Sequence, residues 1–250
     1  MKQKVTAIIQ ARMRSSRLPG KVFLPLDGKP CIWWMTVRAS LAKLVDEVII
    51  ATTTDVSNDL IWLYGKQNKD KFPASVYRYA GKEDDVMGRV LAAAKMSHTD
   101  IVVDLTADCP MVSPWQINFL IDKLLSCNYD YTSNDVVNRS WPNGLDVQVY
   151  KTSVLQKCRD KFSPAQHCGW NIPQHPKEFM CNSLIAVNDM YWPELGLTLD
   201  TARDYEFLSV LFDKFGKDIN FMVEDVVDYL KENPELITNK NVYRKEPEEG

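Results

Sequence analysis

Four times between residues 5 and 126, an apolar run short enough to be a strand is followed by a stretch with helical signals. VTAII (5–9) is apolar on both faces, as a central strand of a parallel sheet is. CIWWMTVRASLAKL (31–44) reads as a helix behind Pro30. DEVIIATT (46–53) is a second strand, and residues 57–69 a second helix. ASVYRYA (74–80) is a third strand, followed by the helix DDVMGRVLAAAKM (84–96), with Asp84 or Asp85 as its cap. DIVVDLTADCP (100–110) runs from a strand into a polar turn, and SPWQINFLIDKLLS (113–126) opens with a capping serine and a proline at the first helical position. This alternation predicts a parallel sheet with helices on both faces.

The second half is less regular. NGLDVQVY (143–150), KEFMCNSLIAV (177–187) and LGLTLDT (195–201) read as strands, ARDYEFLSVLFDKF (202–215) and VEDVVDYLKENP (223–234) as helices, and KNVYRKEPEEG as a charged tail. With no repeat, low-complexity run or linker, the expectation is one domain over 1–250. A length of 250 residues and 45% hydrophobic content suit a single large α/β core. The net charge of −3 argues against a nucleic-acid coat. No apolar run reaches the roughly 20 residues of a membrane span, and the start lacks a secretory signal. Six cysteines without CxxC or zinc spacing predict reduced thiols and a cytoplasmic protein.

In an open parallel sheet, ligands bind beyond the carboxyl ends of the strands. After the first strand comes QARMRSSRLPGK (10–21), whose Arg12, Arg14, Arg17 and Lys21 concentrate positive charge in a chain that is acidic overall. Arginine forks phosphate oxygens and lysine acts as a point charge, so this loop suits a triphosphate, with Ser15, Ser16 and backbone amides adding donors. It is neither a Walker A loop nor GxGxxG. The alternative is a solvated basic loop. Asp108 follows the fourth strand and Asp200 ends the late strand. Two such acids could hold Mg²⁺ on a triphosphate, although Asp200 or Thr201 could instead cap the next helix.

IIQARMRSSRLPGKVFLPLDGKP, GKEDDVMGRVLAAAK, LTADCPMVSPWQI, DYTSN, PNGLDVQVY, LTLDTARDYEFL and LKENPEL occur in this order. Together they resemble the cytidylyltransferase superfamily that makes CMP-activated sugars, in particular its spore-coat-polysaccharide type, with the CMP-Kdo and acylneuraminate cytidylyltransferases next. The resemblance covers roughly residues 5–237. It implies a Rossmann-like three-layer αβα sandwich with a mixed, mostly parallel sheet, of the nucleotide-diphospho-sugar transferase type. It also implies a homodimer, with a dimerisation and acceptor subregion around 140–190. On the same basis Arg12, Ser15, Arg17 and Lys21 would hold the CTP phosphates, Gly81, Glu83, Asp84 and Arg89 would read cytosine, and Gln10, Ala11 and Asp108 would also belong to the nucleotide site. Asp108 and Asp200 would bind Mg²⁺, and Asn143, Gly144 and Asp146 would lie by the acceptor. Arg12, Lys21 and Asp108 are the catalytic candidates.

The implied reaction is in-line attack by an acceptor oxygen on the α-phosphate of CTP, with release of pyrophosphate. The acceptor would be a sugar, sugar acid or polyol phosphate; neither nucleic acid nor a membrane is an expected partner. The family's Glu-His-Val-Thr-Pro-Tyr-Ile segment is replaced here by QHCGWNIPQHP (166–176), which keeps His167 and Ile172 but has Gln166, Cys168, Gly169 and Trp170. His167 is open between an acceptor ligand and a packing histidine. Trp141 and Trp170, in irregular segments, read as exposed aromatics of the kind that favour interfaces. Two rival readings are a nucleotide-sugar glycosyltransferase, whose DxD motif DLTAD fits badly, and a non-catalytic nucleotide-binding protein of a polysaccharide locus, which would have lost the acids.

Overall fold

The computed structural model describes residues 2–134, 139–162, 168–240 and 242. In chain order the elements are β1 (Val5–Gln10), β2 (Pro25–Leu26), β3 (Lys29–Pro30), α1 (Cys31–Ser40), β4 (Glu47–Thr53), α2 (Asp59–Gln67), β5 (Ser75–Tyr79), α3 (Val86–Met96), β6 (Ile101–Thr106) and α4 (Pro114–Ser126). Then follow β7 (Tyr131–Ser133), β8 (Gln148–Lys151), α5 (Thr152–Lys161), β9 (Cys181–Ser183), α6 (Ala202–Phe215) and α7 (Val223–Glu232). Each of the four sequence-expected strand–helix units forms. Asp85, not Asp84, caps α3 by accepting the Gly88 amide, and Ser113 caps α4 ahead of Pro114.

One seven-stranded sheet runs in the order β5-β4-β1-β6-β8-β7-β9, and β2 and β3 form a separate small hairpin. β1 is central and parallel to both neighbours, with Ala7 opposite Val48 and Val103. β8 runs antiparallel to β6 and to β7, which makes the sheet mixed. β9 pairs parallel with β7 at the edge. A wholly parallel sheet, which the alternation alone suggests, therefore holds only for β5, β4, β1 and β6.

Strand alternation sorts the core. Ala7, Ile9, Val103, Leu105 and Val149 pack with Ile32 and Met35 of α1, Ile61 of α2 and Ile117, Leu120 and Ile121 of α4. Ile8, Ile49, Val102 and Tyr150 face the other way, onto Met87, Val90 and Ala94 of α3 and Leu155 and Cys158 of α5. The helices thus cover both faces, giving three layers. A further apolar body joins Trp34 of α1 to α6 and α7 through Phe207, Leu211, Phe212, Phe221, Val226 and Leu230. Arg38, 1% exposed, ties this body to the sheet layers: its guanidinium donates to the carbonyls of Val112 at 2.9 Å and Ile219 at 3.0 Å, and stacks 3.9 Å from the Phe221 ring centroid. Those bonds are what allow a charged side chain to be buried there.

Five readings of the sequence need correction. Residues 195–201 do not form a strand; only the bridge between Asn143 and Gly196 forms there. Of 177–187 only Cys181–Ser183 is strand, and of 143–150 only the part from Gln148 on, in a strand that ends at Lys151. The sequence reading lacked α5, whose apolar face is narrow: Val154, Leu155 and Cys158 alone are buried. Trp141 is not exposed. It is 5% accessible and its indole N–H donates to the Leu184 carbonyl at 2.9 Å, because that segment folds inward rather than onto the surface. Trp170 is half-buried. All six cysteines are free thiols. Among the described residues, no helix is long and apolar enough to cross a membrane.

Candidate active site

The loop after β1 closes on itself. The Ala11 amide still donates to Ala51, and the Met13 amide turns to the buried Asn58 side chain at 2.8 Å. The Ser15 hydroxyl accepts the Leu18 amide at 3.3 Å, which fixes Ser15 inside the loop. Gly20 then donates back to the Met13 carbonyl at 2.9 Å with φ +73°, a left-handed conformation that favours glycine. Lys21 follows in a short 3₁₀ turn, under the carboxyl end of the sheet.

Each loop cation meets an acid from outside the loop, and Arg17 and Lys21 share Asp200. Arg12, well exposed, lies 3.9 Å from Glu83; Arg14 lies 3.4 Å from Asp55; Arg17 lies 2.8 Å from Asp200. Lys21 is the enclosed one, with 11% of its side chain exposed. Its ammonium donates to Asp108 Oδ2 at 2.5 Å and to Asp200 Oδ1 at 2.8 Å. The sequence suits the Lys21 charge to a phosphate or to solvent, and in the fold two carboxylates meet it.

The backbone explains this convergence. The Leu199 amide donates to the Asp108 carbonyl at 2.8 Å, lacing residues 195–199 to the turn after β6. The other side of 195–199 is held by Asn143, whose amide donates to Leu195 at 2.9 Å and whose carbonyl accepts from Leu197 at 2.6 Å. Gly144, at φ +103°, permits the approach: a Cβ there would stand 2.5 Å from the Leu197 carbonyl carbon. Gly144 thus has a packing task. Asn143 is half-buried, and Asp146 receives Arg139 at 3.3 Å.

Burial alone would lower the Lys21 pKa, but the Asp108 and Asp200 carboxylates outweigh it and hold the ammonium above its ordinary value. Burial would likewise raise Asp108, yet Lys21 keeps its carboxyl below the usual range. The thiol of Cys31 is pushed up by burial and by the charge of Asp108, which marks it as inert.

On the opposite side of the loop lie residues 80–85. Gly81 and Asp84 are exposed, and Glu83 is half-buried beside Arg12. Arg89, from the first turn of α3, donates to the Glu83 carbonyl at 2.9 Å and approaches Gln10 Oε1 at 3.5 Å. Sequence reading missed Asp104, which accepts from Gln10 Nε2 at 2.5 Å. A carboxylate inside an otherwise apolar strand was itself the signal, since such a charge is costly unless paired. The structure therefore brings Gln10, Ala11, Arg12, Ser15, Arg17, Lys21, Glu83, Arg89, Asp108 and Asp200 to one edge of the sheet. His167 and Gln166 lie outside the described residues.

A family model described as cytidylyltransferase matches residues 6–181. The chain belongs to the cytidylyltransferase family. It is 28% identical over 243 residues to the spore coat polysaccharide biosynthesis protein SpsF of Bacillus subtilis, covering 93% of this chain and 96% of that one. It is 29% identical over 247 residues to an uncharacterised protein of Methanocaldococcus jannaschii, covering 97% of each. A solved cytidylyltransferase from Leptospira borgpetersenii superposes with a TM-score of 0.86 at 28% identity, over 97% of this chain and 100% of that one. The three-layer sandwich with its mixed sheet is thus this family's fold.

Proposed function

We propose that this cytidylyltransferase transfers CMP from CTP to a small sugar-type acceptor and releases pyrophosphate. The observation that carries the reading is the convergence of Lys21, Asp108 and Asp200 from three distant segments onto one point beside a cationic loop. Arg12, Arg17 and Lys21 hold the triphosphate, with Ser15 and the loop backbone shaping the cradle. Gly81, Glu83, Asp84 and Arg89 read the base. Asn143, Gly144 and Asp146 border the acceptor.

Asp108 and Asp200 supply hard oxygen donors that already meet a single cation, the Lys21 ammonium, and this donor set fits Mg²⁺, which takes one or two carboxylates and completes its shell with phosphate and water. Bound there, Mg²⁺ would neutralise phosphate charge and polarise the α-phosphoryl group. The chain's own residues position and screen. An acceptor oxygen, already anionic or giving its proton to water, attacks the α-phosphorus, the bond to the bridging oxygen of the β-phosphate breaks, and the pyrophosphate leaves against Arg12, Arg17 and Lys21. The relative in spore coat polysaccharide biosynthesis supports an acceptor of glycan type. A homodimer, implied by the family resemblance, completes the reading.

Pyrophosphate release is the test. The protein is mixed with Mg²⁺, each of CTP, UTP, ATP and GTP, and a panel of sugars, sugar acids and polyol phosphates. Release with CTP and one acceptor class is expected. Preference for a purine nucleotide, or no release with any pair, would overturn the reading.

A further inference from the structure

Two buried opposite charges lie on the α3 side of the sheet, and one amide joins them. Asp104, on β6, is 6% exposed, and Arg89, on α3, is 3% exposed. Gln10, the last residue of β1, stands between them. Its Nε2 donates to Asp104 Oδ1 at 2.5 Å, and its Oε1 accepts from Arg89 Nη2 at 3.5 Å. Arg89 Nη1 donates to the Glu83 carbonyl at 2.9 Å, while its Nε is buried with no hydrogen-bond partner among the described residues. The guanidinium is thus held by Glu83 and Gln10, and Asp104 is the buried carboxylate that faces its charge.

A primary amide has a donor end and an acceptor end. An ionised Asp104 accepts only, so it takes the NH₂ end of Gln10 and turns the carbonyl end to Arg89. The other groups facing Asp104 are Tyr150 of β8, whose hydroxyl donates at 2.9 Å, and the Cys168 thiol, 3.2 Å from that hydroxyl. Neither carries charge at neutral pH, because burial pushes both pKa values well up.

We propose that Asp104 is a positioning residue: its ionised carboxylate, acting through Gln10, fixes Arg89 and with it the Glu83 segment of the nucleotide-base loop. This rests on the reading that residues 81–84 contact the base. Loss of the Asp104 charge removes one of the two carboxylates that act on Arg89, Glu83 being the other, and removes the constraint on the Gln10 amide. Burial raises the Asp104 pKa to about 6, so the device acts just below neutral pH.

The experiment compares calorimetric affinities for CTP and for tripolyphosphate, both with Mg²⁺, between about pH 5 and pH 8. Their ratio reports on the nucleoside part, and Asp104→Asn, in which position 104 cannot titrate, controls for the ionisation of the two ligands themselves. With a midpoint near pH 6, about a tenth of the protein is competent at about pH 5, so the CTP-to-tripolyphosphate ratio should fall roughly tenfold from its neutral value. Asp104→Asn should hold the low ratio at every pH while tripolyphosphate binding stays near wild type. A wild-type ratio that is flat across this range would overturn the inference without any variant, and so would a folded Asp104→Asn protein with the wild-type ratio and profile. Failure of CTP to bind at any pH would instead overturn the nucleotide reading, and the inference with it.

Discussion

The Thr201 hydroxyl accepts the Asp204 amide at 3.3 Å, while the Asp204 carboxylate accepts the Thr201 amide at 2.8 Å, so the two cap α6 reciprocally. Asp200, one residue earlier, is therefore not the cap. Its carboxylate faces Lys21 and Arg17. The two neighbours should separate in their effects. Thr201→Ala should cost about 1 kcal/mol of stability and leave the activity of the folded protein intact. Asp200→Asn should leave the fold in place and remove activity. Thermal melts paired with pyrophosphate release check both.

Lys21 neutralises two carboxylates at once, so its removal should have two effects. Turnover should fall roughly ten- to a hundredfold, the value of a lost charge-assisted phosphate contact of about 1.5–3 kcal/mol. The melting temperature should also fall, because Asp108 and Asp200 then face each other without the ammonium. Mg²⁺ should raise the Lys21→Ala melting temperature more than the wild-type value. An equal or smaller rise would show that the two acids do not bind the metal together.

A second ion pair lies away from the reaction. Arg159 of α5 grips both oxygens of Asp85, at 2.8 and 2.9 Å, and Tyr79 adds a bond at 2.6 Å. These bonds hold the Asp85 pKa at about 2, below the value of 3.8 it has when unperturbed. A depressed carboxylate pKa stabilises the fold above about pH 4, and that stability is lost as the pH falls toward 2. Solvent screening reduces its worth, because both partners are partly exposed. Asp85→Asn should lower the urea midpoint at pH 7 and differ little from wild type near pH 2. Gly88→Ala should act similarly, because a Cβ there would stand 2.2 Å from Asp85 Oδ2 and 2.5 Å from Arg159 Nη1.

Gly144→Ala tests how Asp200 is placed. The left-handed backbone at φ +103° costs a substituted residue about 1–3 kcal/mol, and the new Cβ pushes on Leu197. Lower stability and a higher Mg²⁺ requirement for pyrophosphate release are expected together. A loss of stability with an unchanged Mg²⁺ requirement would separate Gly144 from the site.

Much of this was legible in the chain, for identifiable reasons. α6 forms over Ala202–Phe215, the range its apolar spacing gives, because a strong amphipathic pattern with a capping pair needs little tertiary help. Asp108 was legible because it follows a parallel strand, whereas Asp200 was paired with it on a strand that does not form; the Leu199 amide, donating to the Asp108 carbonyl, is what brings it there. The segment 195–201 misled because it lies beside a turn rather than a strand, so its alternation produces one bridge instead of a ladder. Trp141 misled because burial in an irregular segment leaves no periodic trace. Asp104 was hidden in plain view: its partners Gln10, Arg89 and Tyr150 come from three other elements, and only folding assembles them.

The most direct test of the account is an Mg²⁺ titration of CTP-dependent pyrophosphate release by the wild type, Asp108→Asn, Asp200→Asn and the double variant. If the two carboxylates form one site, each single variant folds and loses Mg²⁺-dependent activity, excess Mg²⁺ restores part of it, and the double variant is little worse than either, since groups acting as a unit are non-additive. An Asp200→Asn protein with full activity and the wild-type Mg²⁺ dependence would contradict the account.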